Sequence, residues 1–192
     1  AIAHNKANPD DQTAWTGSMF GGMPTTAITY DFEGDWTKPI YNLLMLGKRP
    51  GSYFFITLLG AFLLMLSMGI SKTLAVAGAI AVAFCSYNAQ IIQVGHNTKM
   101  QAIAFFPWVL AGIIYTYKAA LKEKASESSD NVKGHLWKTW LPKTVLGAVL
   151  FALALSMQIK ANHIQITYYL AIVIAVYVLG VFVYLCTRKD RL

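Results

Sequence analysis

Two short polar strings, each set between apolar segments, hold the side chains of this chain that are best suited to chemistry. The first is Gly-His-Asn-Thr-Lys-Met-Gln at residues 95–101, and the second is Lys-Ala-Asn-His-Ile-Gln at residues 160–165. Their amides donate and accept hydrogen bonds, as sugar hydroxyls require, and their lysines supply positive charge that suits a phosphate. The pattern predicts a phosphosugar site formed by His96, Asn97, Lys99, Gln101, Lys160, Asn162, His163 and Gln165.

Each of these residue types also has a purely structural interpretation, which stays open at this point. Lysines at the ends of membrane helices extend toward lipid headgroups. Amides hold membrane helices together, at roughly 0.6–2 kcal/mol for each contact. The two histidines could carry protons, bind the ligand or simply form hydrogen bonds at helix ends.

The surrounding composition places both strings in a membrane protein. Of the 192 residues, 56% are hydrophobic and 13% are charged, whereas soluble domains carry about 25% charged residues. Apolar segments occur at residues 53–70, 74–94, 102–117, 145–159 and 166–186. The third and fourth are short for a span, so we expect their helices to extend into the flanking polar residues. The sequence predicts an all-α, polytopic transmembrane helical bundle with about five membrane helices.

The charge distribution predicts how this bundle is oriented. We divide the chain into an interfacial segment at residues 1–50 and a transmembrane domain at residues 51–192. If the loop at residues 118–143 is cytoplasmic, ten of the 16 lysines and arginines lie on that side, as the positive-inside rule requires. The N-terminal segment and both polar strings are then extracytoplasmic, and the C-terminus of the chain is cytoplasmic.

Polar residues also recur at helical spacing near both strings. They are Ser86, Gln90, Gln93 and Asn97 on the second apolar segment, provided that its helix is continuous, and Gln158, Asn162 and Gln165 on the fourth. An unpaired amide in hydrocarbon costs roughly 2–7 kcal/mol. We therefore expect both stripes to face other helices or a wet cavity.

The N-terminal segment contributes two further candidate features. Gly21, Gly22 and Pro24 predict a tight turn, whose free backbone amides could approach a phosphate or sugar, or which could simply join two interfacial helices. Alternating acids at Asp31, Glu33 and Asp35 could hold a divalent cation, although such a run is more often a solvated loop.

Three longer motifs resemble the YfhO-like bacterial membrane proteins, particularly those of the Bacteroidetes type. They are WTGSMFGGMP at residues 15–24, GHNTKMQAIAFFPWVLAGI at 95–113 and ALSMQIKANHIQITYYLAI at 154–172. That family is similar to GT-C-type glycosyltransferases, which transfer sugar from a polyprenyl phosphate on the extracytoplasmic face of the bacterial cytoplasmic membrane. The resemblance implies that the chain is an N-terminal excerpt of a longer protein.

The expected function is therefore part of a membrane glycosyltransferase. Its partners would be membrane lipids, a polyprenyl-phosphate sugar donor and a cell-envelope glycan or glycolipid acceptor, with no nucleic acid. The resemblance implies a catalytic acid in the first extracytoplasmic loop. Asp10 and Asp11 are the first acids present, but neither matches the family's position, so a residue before Ala1 stays open.

Two alternatives belong to other functional classes. One is a transporter or flippase-like protein for envelope lipids, which would need polar residues through the whole depth of the membrane. Here Gln90, Gln93 and Gln158 extend only partway through the predicted membrane depth, which favours a site at the outer edge of the membrane. The other is a structural membrane subunit whose amides only pack helices.

Overall fold

The structure, a computed structural model, describes the chain in several ranges. They are residues 7–8, 10, 13, 15–16, 21–24, 35–45, 49–127 and 141–187. The chain divides into two compact units, Ala1–Lys38 and Pro39–Leu192. Residues 39–45, which the sequence analysis placed in the interfacial segment, thus pack in the same unit as the apolar helices.

In the first unit, two short strands pair around the predicted turn. Strands β1 (Trp15–Thr16) and β2 (Met23–Pro24) are antiparallel, with Trp15 opposite Pro24. Gly21 and Gly22 adopt φ angles of 75° and 122°, which residues with a side chain rarely tolerate. A Cβ atom at Gly22 would also overlap the Trp15 indole, so both the dihedral and the packing require glycine.

Seven α-helices account for most of the rest of the described chain. They are α1 (Lys38–Met45), α2 (Gly51–Met68), α3 (Lys72–Ala83), α4 (Ser86–Gln93), α5 (Asn97–Glu127), α6 (Leu141–Lys160) and α7 (Ile164–Thr187).

Five helical segments are long and apolar enough to cross a membrane. They are Gly51–Met68, Lys72–Gln93, Asn97–Leu121, Lys143–Lys160 and Ile164–Thr187. The prediction of an all-α helical bundle with five candidate spans is therefore confirmed, and the chain has the character of a multi-pass membrane protein. The third and fourth spans, in α5 and α6, extend beyond their apolar segments, as expected from the length needed to span a bilayer.

The second apolar segment matches the candidate span Lys72–Gln93, but the span consists of two helices, so the condition of a continuous helix is not met. Helix α3 ends at Ala83, and α4 begins at Ser86. The Asn88 side-chain amide donates to the carbonyl oxygens of Val82 and Ala83, each at 3.0 Å. Because Asn88 supplies donors that the interrupted backbone would otherwise lack, the break is stable inside an apolar segment.

The predicted loop at residues 118–143 is also shorter than expected. Helix α5 continues to Glu127, and α6 begins at Leu141. Residues 118–127 are rich in Lys, Ala, Leu and Glu, which are strong helix formers even when they are polar. Residues 128–140 lie outside the described part of the chain.

Helix α5 lies between α2 and α6 and packs closely on both. Trp108 of α5 donates its indole N–H to the Ile56 carbonyl of α2 at 2.8 Å, directly over Gly60. On the other side, a Cβ atom at Gly112 would lie 2.8 Å from the Cα of Phe151 on α6. Small residues thus let the backbones approach, which is the usual way that membrane helices pack.

The helices alternate in direction, so the two polar strings meet at one end of the bundle. Ala102, near the start of α5, forms one buried apolar cluster with Ala161, in the second turn, and Ile166, near the start of α7, so the start of α5 and the turn at residues 161–163 lie at the same end. Gly69, at the end of α2, lies beside the Lys118 side chain at the opposite end. We call the end with the two turns the string end.

Candidate functional site

Four polar side chains from separate parts of the chain converge at the string end, and we call them the tyrosine cluster. The Tyr41 hydroxyl donates to Oε1 of Gln101 at 2.9 Å and accepts from Nη2 of Arg49 at 3.1 Å. Nζ of Lys160 lies 5.2 Å from the centre of the Tyr41 ring, a typical cation–π distance. One phenol therefore contacts two cations and one amide.

A second phenol lies next to this cluster and is fully buried. Tyr53, near the start of α2, has 0% of its surface exposed, and its hydroxyl has no hydrogen-bond partner among the described residues. It belongs to the same buried apolar cluster as Met45, against which the Tyr41 ring packs. A buried hydroxyl without a partner is uncommon in folded proteins, so this position calls for an explanation.

A groove of about 460 Å³ lies on the other face of α5, between α4 and α7. Lys99 lines it, with Nζ 5.5 Å from the Tyr87 ring centre. Across the groove, the Gln165 side-chain amide donates to the Tyr169 hydroxyl at 2.8 Å. Ile103, Phe106 and Ile166 complete an otherwise apolar lining. We call this cavity the α4–α7 groove.

Asn162 and His163 line a different, smaller cavity of about 310 Å³ beside α7. Asn162 has a positive φ of 52°, and it occupies the turn between α6 and α7. The Nδ1 atom of His163 is buried and has no hydrogen-bond partner among the described residues. The predicted site residues are therefore distributed over several places at the string end.

The distribution of the eight predicted residues follows from helix geometry. Gln101 and Lys160 belong to the tyrosine cluster, and Lys99 and Gln165 line the α4–α7 groove. Because a residue two positions along a helix is rotated by about 200°, Lys99 and Gln101 must face opposite sides of α5. His96 and Asn97 are exposed and line neither of the two cavities.

The predicted polar stripe on the second segment is not buried against the other described helices, so of the two expected surroundings only a wet cavity stays open. Its four members, Ser86, Gln90, Gln93 and Asn97, are all exposed on the described chain. The break before Ser86 gives α4 its own orientation, in which Asn88 and Ile91 are the buried residues.

In the other stripe, Gln158 is 0% exposed and accepts a hydrogen bond from the Thr167 hydroxyl at 3.2 Å. Its Nε2 atom has no partner among the described residues. Gln158 is thus buried as predicted, whereas Asn162 and Gln165 are exposed. The three amides therefore do not act together as one continuous stripe.

The N-terminal candidates have simpler surroundings. Asp10 is exposed, and Asp11, Asp31 and Glu33 lie outside the described residues. Oδ1 of Asp35 accepts from the backbone N–H of Thr37 at 3.0 Å and from its hydroxyl at 2.6 Å, just before α1. No group of three His, Cys, Asp or Glu side chains suited to a metal ion occurs within the described ranges.

Several residues of these sites were missed by the sequence reasoning. They are Tyr41, Arg49 and Tyr53 at the tyrosine cluster, and Tyr87 and Tyr169 in the groove. Two sequence features could have identified them: Arg49 directly precedes an apolar span, and tyrosines are common at membrane interfaces. Which tyrosine meets which cation depends on helix packing.

Comparison of the chain with protein-family models, with curated proteins and with solved structures gave no match.

Proposed function

We propose that this chain is part of a membrane glycosyltransferase that uses a polyprenyl-phosphate sugar donor. The acceptor would be a cell-envelope glycan or glycolipid, and the string end would lie on the extracytoplasmic face of a bacterial cytoplasmic membrane. Support comes from the five apolar helices, from the lysine and arginine distribution, and from the resemblance of the three motifs to YfhO-like proteins.

The observation that carries the proposal is the chemistry of the α4–α7 groove. A polyprenyl-phosphate sugar joins an apolar chain to an anionic phosphate and then to hydroxyl groups. The groove offers matching surfaces in one cavity: apolar walls, the Lys99 ammonium, and the amide–phenol pair of Gln165 and Tyr169. Its volume of about 460 Å³ falls within the usual range for small-molecule sites, about 300–1,000 Å³.

The groove would bind and orient the donor rather than supply the general base. Lys99 would interact with the phosphate oxygens and stabilise the negative charge that grows as the sugar leaves. No carboxylate is among the residues that line the groove. The base that accepts the proton of the acceptor hydroxyl would therefore come from another part of the protein.

A second candidate function, lipid transport or flipping, is favoured by the break between α3 and α4. Discontinuous membrane helices often form transporter sites, because their unwound backbone can bind substrate. Here the Val82 and Ala83 carbonyls already accept hydrogen bonds from Asn88. That arrangement leaves less of the unwound backbone for a substrate, so the glycosyltransferase is the better supported function.

Native mass spectrometry of the purified protein provides the test. Wild type would be compared with Lys99→Gln and with the matched control Lys118→Gln, after incubation with a C55 polyprenyl phosphate. Lys118 is an exposed lysine of the same helix, roughly 28 Å from Lys99 along the helix axis. We expect the lipid to bind wild type and the control and to bind Lys99→Gln about tenfold more weakly.

Two results would contradict the proposal. If wild type does not bind polyprenyl phosphate, this lipid is not the donor. If Lys99→Gln and Lys118→Gln lose lipid binding equally, the loss is a general effect of charge and not of the groove. If the lipid binds as expected but moves across vesicle membranes without any sugar transfer to an acceptor, transport becomes the better function.

A further inference from the structure

We propose that the smaller cavity beside α7 is a second lipid site, separate from the α4–α7 groove, for an uncharged lipid that carries a free hydroxyl group. We call it the α6–α7 cavity, because it is lined by Ile159 of α6, by Asn162 and His163 of the turn, and by the first two turns of α7. Its volume of about 310 Å³ lies at the lower end of the range for small-molecule sites, about 300–1,000 Å³. Lipid binding at this cavity does not rest on the proposed function.

The first argument is the unpaired imidazole nitrogen of His163, a residue that lines the cavity. Its Nδ1 atom is buried and has no hydrogen-bond partner among the described residues, which is unfavourable unless a ligand supplies one. In a neutral imidazole, one nitrogen donates a hydrogen bond and the other accepts one. Because a hydroxyl group can both donate and accept, it pairs with Nδ1 in either tautomer, whereas an acyl chain pairs with it in neither.

The second argument is the hydroxyl of Thr167, which also lines the cavity. It lies 3.2 Å from Oε1 of Gln158 and 3.3 Å from the His163 carbonyl oxygen, both longer than the usual hydroxyl distance of about 2.7–2.8 Å. One proton serves two acceptors, and the Thr167 oxygen keeps the capacity to accept from a ligand. Gln158 is 0% exposed, and its Nε2 atom also lacks a partner among the described residues. The polar groups next to the cavity are therefore not satisfied by the described protein alone.

The third argument is that the lining is uncharged and accessible from the bilayer. No lysine, arginine, aspartate or glutamate is among the residues that line the cavity, so an ionic headgroup would lose water there without gaining a counter-charge. Ile159, Ile164 and Tyr168 of the lining are each more than half exposed and belong to candidate membrane spans. A lipid can therefore enter from the membrane with its acyl chains on the apolar surface and its hydroxyl toward His163.

The α6–α7 cavity and the α4–α7 groove lie on different faces of α7. The α7 residues that line them are Ile164, Thr167, Tyr168 and Ala171 for the cavity, and Gln165, Ile166 and Tyr169 for the groove. At about 100° for each residue of a helix, the centres of the two sets are roughly 155° apart. Because the α7 backbone lies between them, a lipid in the cavity is not the acceptor for a donor bound in the groove.

Native mass spectrometry of the protein released from phosphatidylcholine nanodiscs tests this site. The probes are 1,2-dioleoylglycerol and its 3-acetyl ester, which has the same acyl chains but no free hydroxyl. We expect wild type and Lys99→Gln to retain about three- to tenfold more dioleoylglycerol than ester. Equal retention of the two lipids by wild type would overturn the site.

The variant His163→Phe keeps an aromatic ring but removes its nitrogens, and it should abolish the preference for the free hydroxyl. The matched control is His96→Phe, at the exposed histidine of the other polar string, which lines neither cavity. That control should keep the preference. If the preference survives in His163→Phe, Nδ1 does not bind the hydroxyl and the proposal fails.

The variant Ala171→Leu tests the cavity without a change to its polar groups, so it is informative even if the turn does not tolerate phenylalanine. Ala171 is exposed and lines the cavity, and the larger side chain should fill the space and reduce dioleoylglycerol retention several-fold. Ala175→Leu, one turn further along α7 and also exposed, lines neither cavity and is the matched control. Equal retention by the two leucine variants would contradict binding in this cavity.

Dioleoyl phosphatidic acid, which has the same acyl chains and an anionic headgroup, completes the series. We expect wild type to retain less of it than of dioleoylglycerol, because the cavity lining holds no cation. His163-dependent retention of phosphatidic acid above that of dioleoylglycerol would assign the cavity to an anion and overturn the proposal. Each of these failures leaves Lys99-dependent polyprenyl-phosphate binding untouched, so the site and the proposed function can fail separately.

Discussion

The hydroxyl of Tyr41 donates a 2.9 Å hydrogen bond to Oε1 of Gln101, although 60 positions separate the two residues in the chain. Tyr41 lies on the short helix α1, and Gln101 lies near the start of α5, the helix on which most of the bundle packs. Met45 of α1 belongs to the same buried cluster as Met100 and Phe105 of α5. This hydrogen bond therefore joins α1 to the bundle at the string end.

Replacement of Tyr41 by Phe should destabilise the protein by about 1–3 kcal/mol, because the buried Gln101 oxygen would lose its donor. The free energy of unfolding can be measured in mixed micelles of detergent and dodecyl sulfate. In a double-mutant cycle with Gln101→Leu, the two effects should not add, since both substitutions remove the same hydrogen bond. Fully additive effects would show that the two side chains do not interact.

Replacement of Gly112 by Ala should lower stability by about 1–3 kcal/mol, because the new methyl group would overlap the α6 backbone at Phe151. The matched control is Gly180→Ala on α7, where a Cβ atom meets nothing within 4 Å. That control should be neutral or slightly stabilising, since alanine favours helix more than glycine. Similar unfolding midpoints for the two variants would contradict the close approach of α5 and α6.

Replacement of Asn88 by Leu should destabilise the break between α3 and α4 by about 1–3 kcal/mol, because two carbonyl groups lose their side-chain donor. Gln90→Leu, at an exposed position of the same helix, is the matched control and should have little effect. Thermal unfolding followed by circular dichroism would compare them. A larger loss for Gln90→Leu would mean that Asn88 does not hold the break.

Cysteine labelling should place both polar strings on one side of the membrane. In a background with Cys85 and Cys186 replaced by alanine, His96→Cys and Asn162→Cys should react with an impermeant maleimide from the same face. Ser71→Cys should react from the other face, because all three positions are exposed and helix direction alternates between them. Under the proposed orientation, the first two react in intact cells.

Reaction of His96→Cys and Asn162→Cys from opposite faces would contradict the arrangement of the helices. If both react only after cell lysis and Ser71→Cys reacts in intact cells, the helix arrangement is correct but its orientation in the membrane is the reverse of the proposed one. The proposed extracytoplasmic site would then be wrong. The lysine distribution predicts that both polar strings are extracytoplasmic, because cytoplasmic loops retain positive charge.

The five spans could be predicted from sequence because apolar length is a local property. A helix must bury about 20 apolar residues to cross a bilayer, and that requirement is visible without any tertiary contact. The break at residues 84–85 could not be predicted in the same way. It depends on hydrogen bonds from the Asn88 side chain to two backbone carbonyl groups, which cannot be predicted from the hydropathy of the segment.

The sequence by itself determined the membrane class, the number of candidate spans and the presence of two polar strings at helix ends. Only the tertiary structure decided that Lys99 lines a groove with residues of α4 and α7, and that Tyr41 contacts Arg49, Gln101 and Lys160. The physical reason is that hydropathy acts along the chain, whereas hydrogen bonds and cation–π contacts between distant residues depend on how the helices pack.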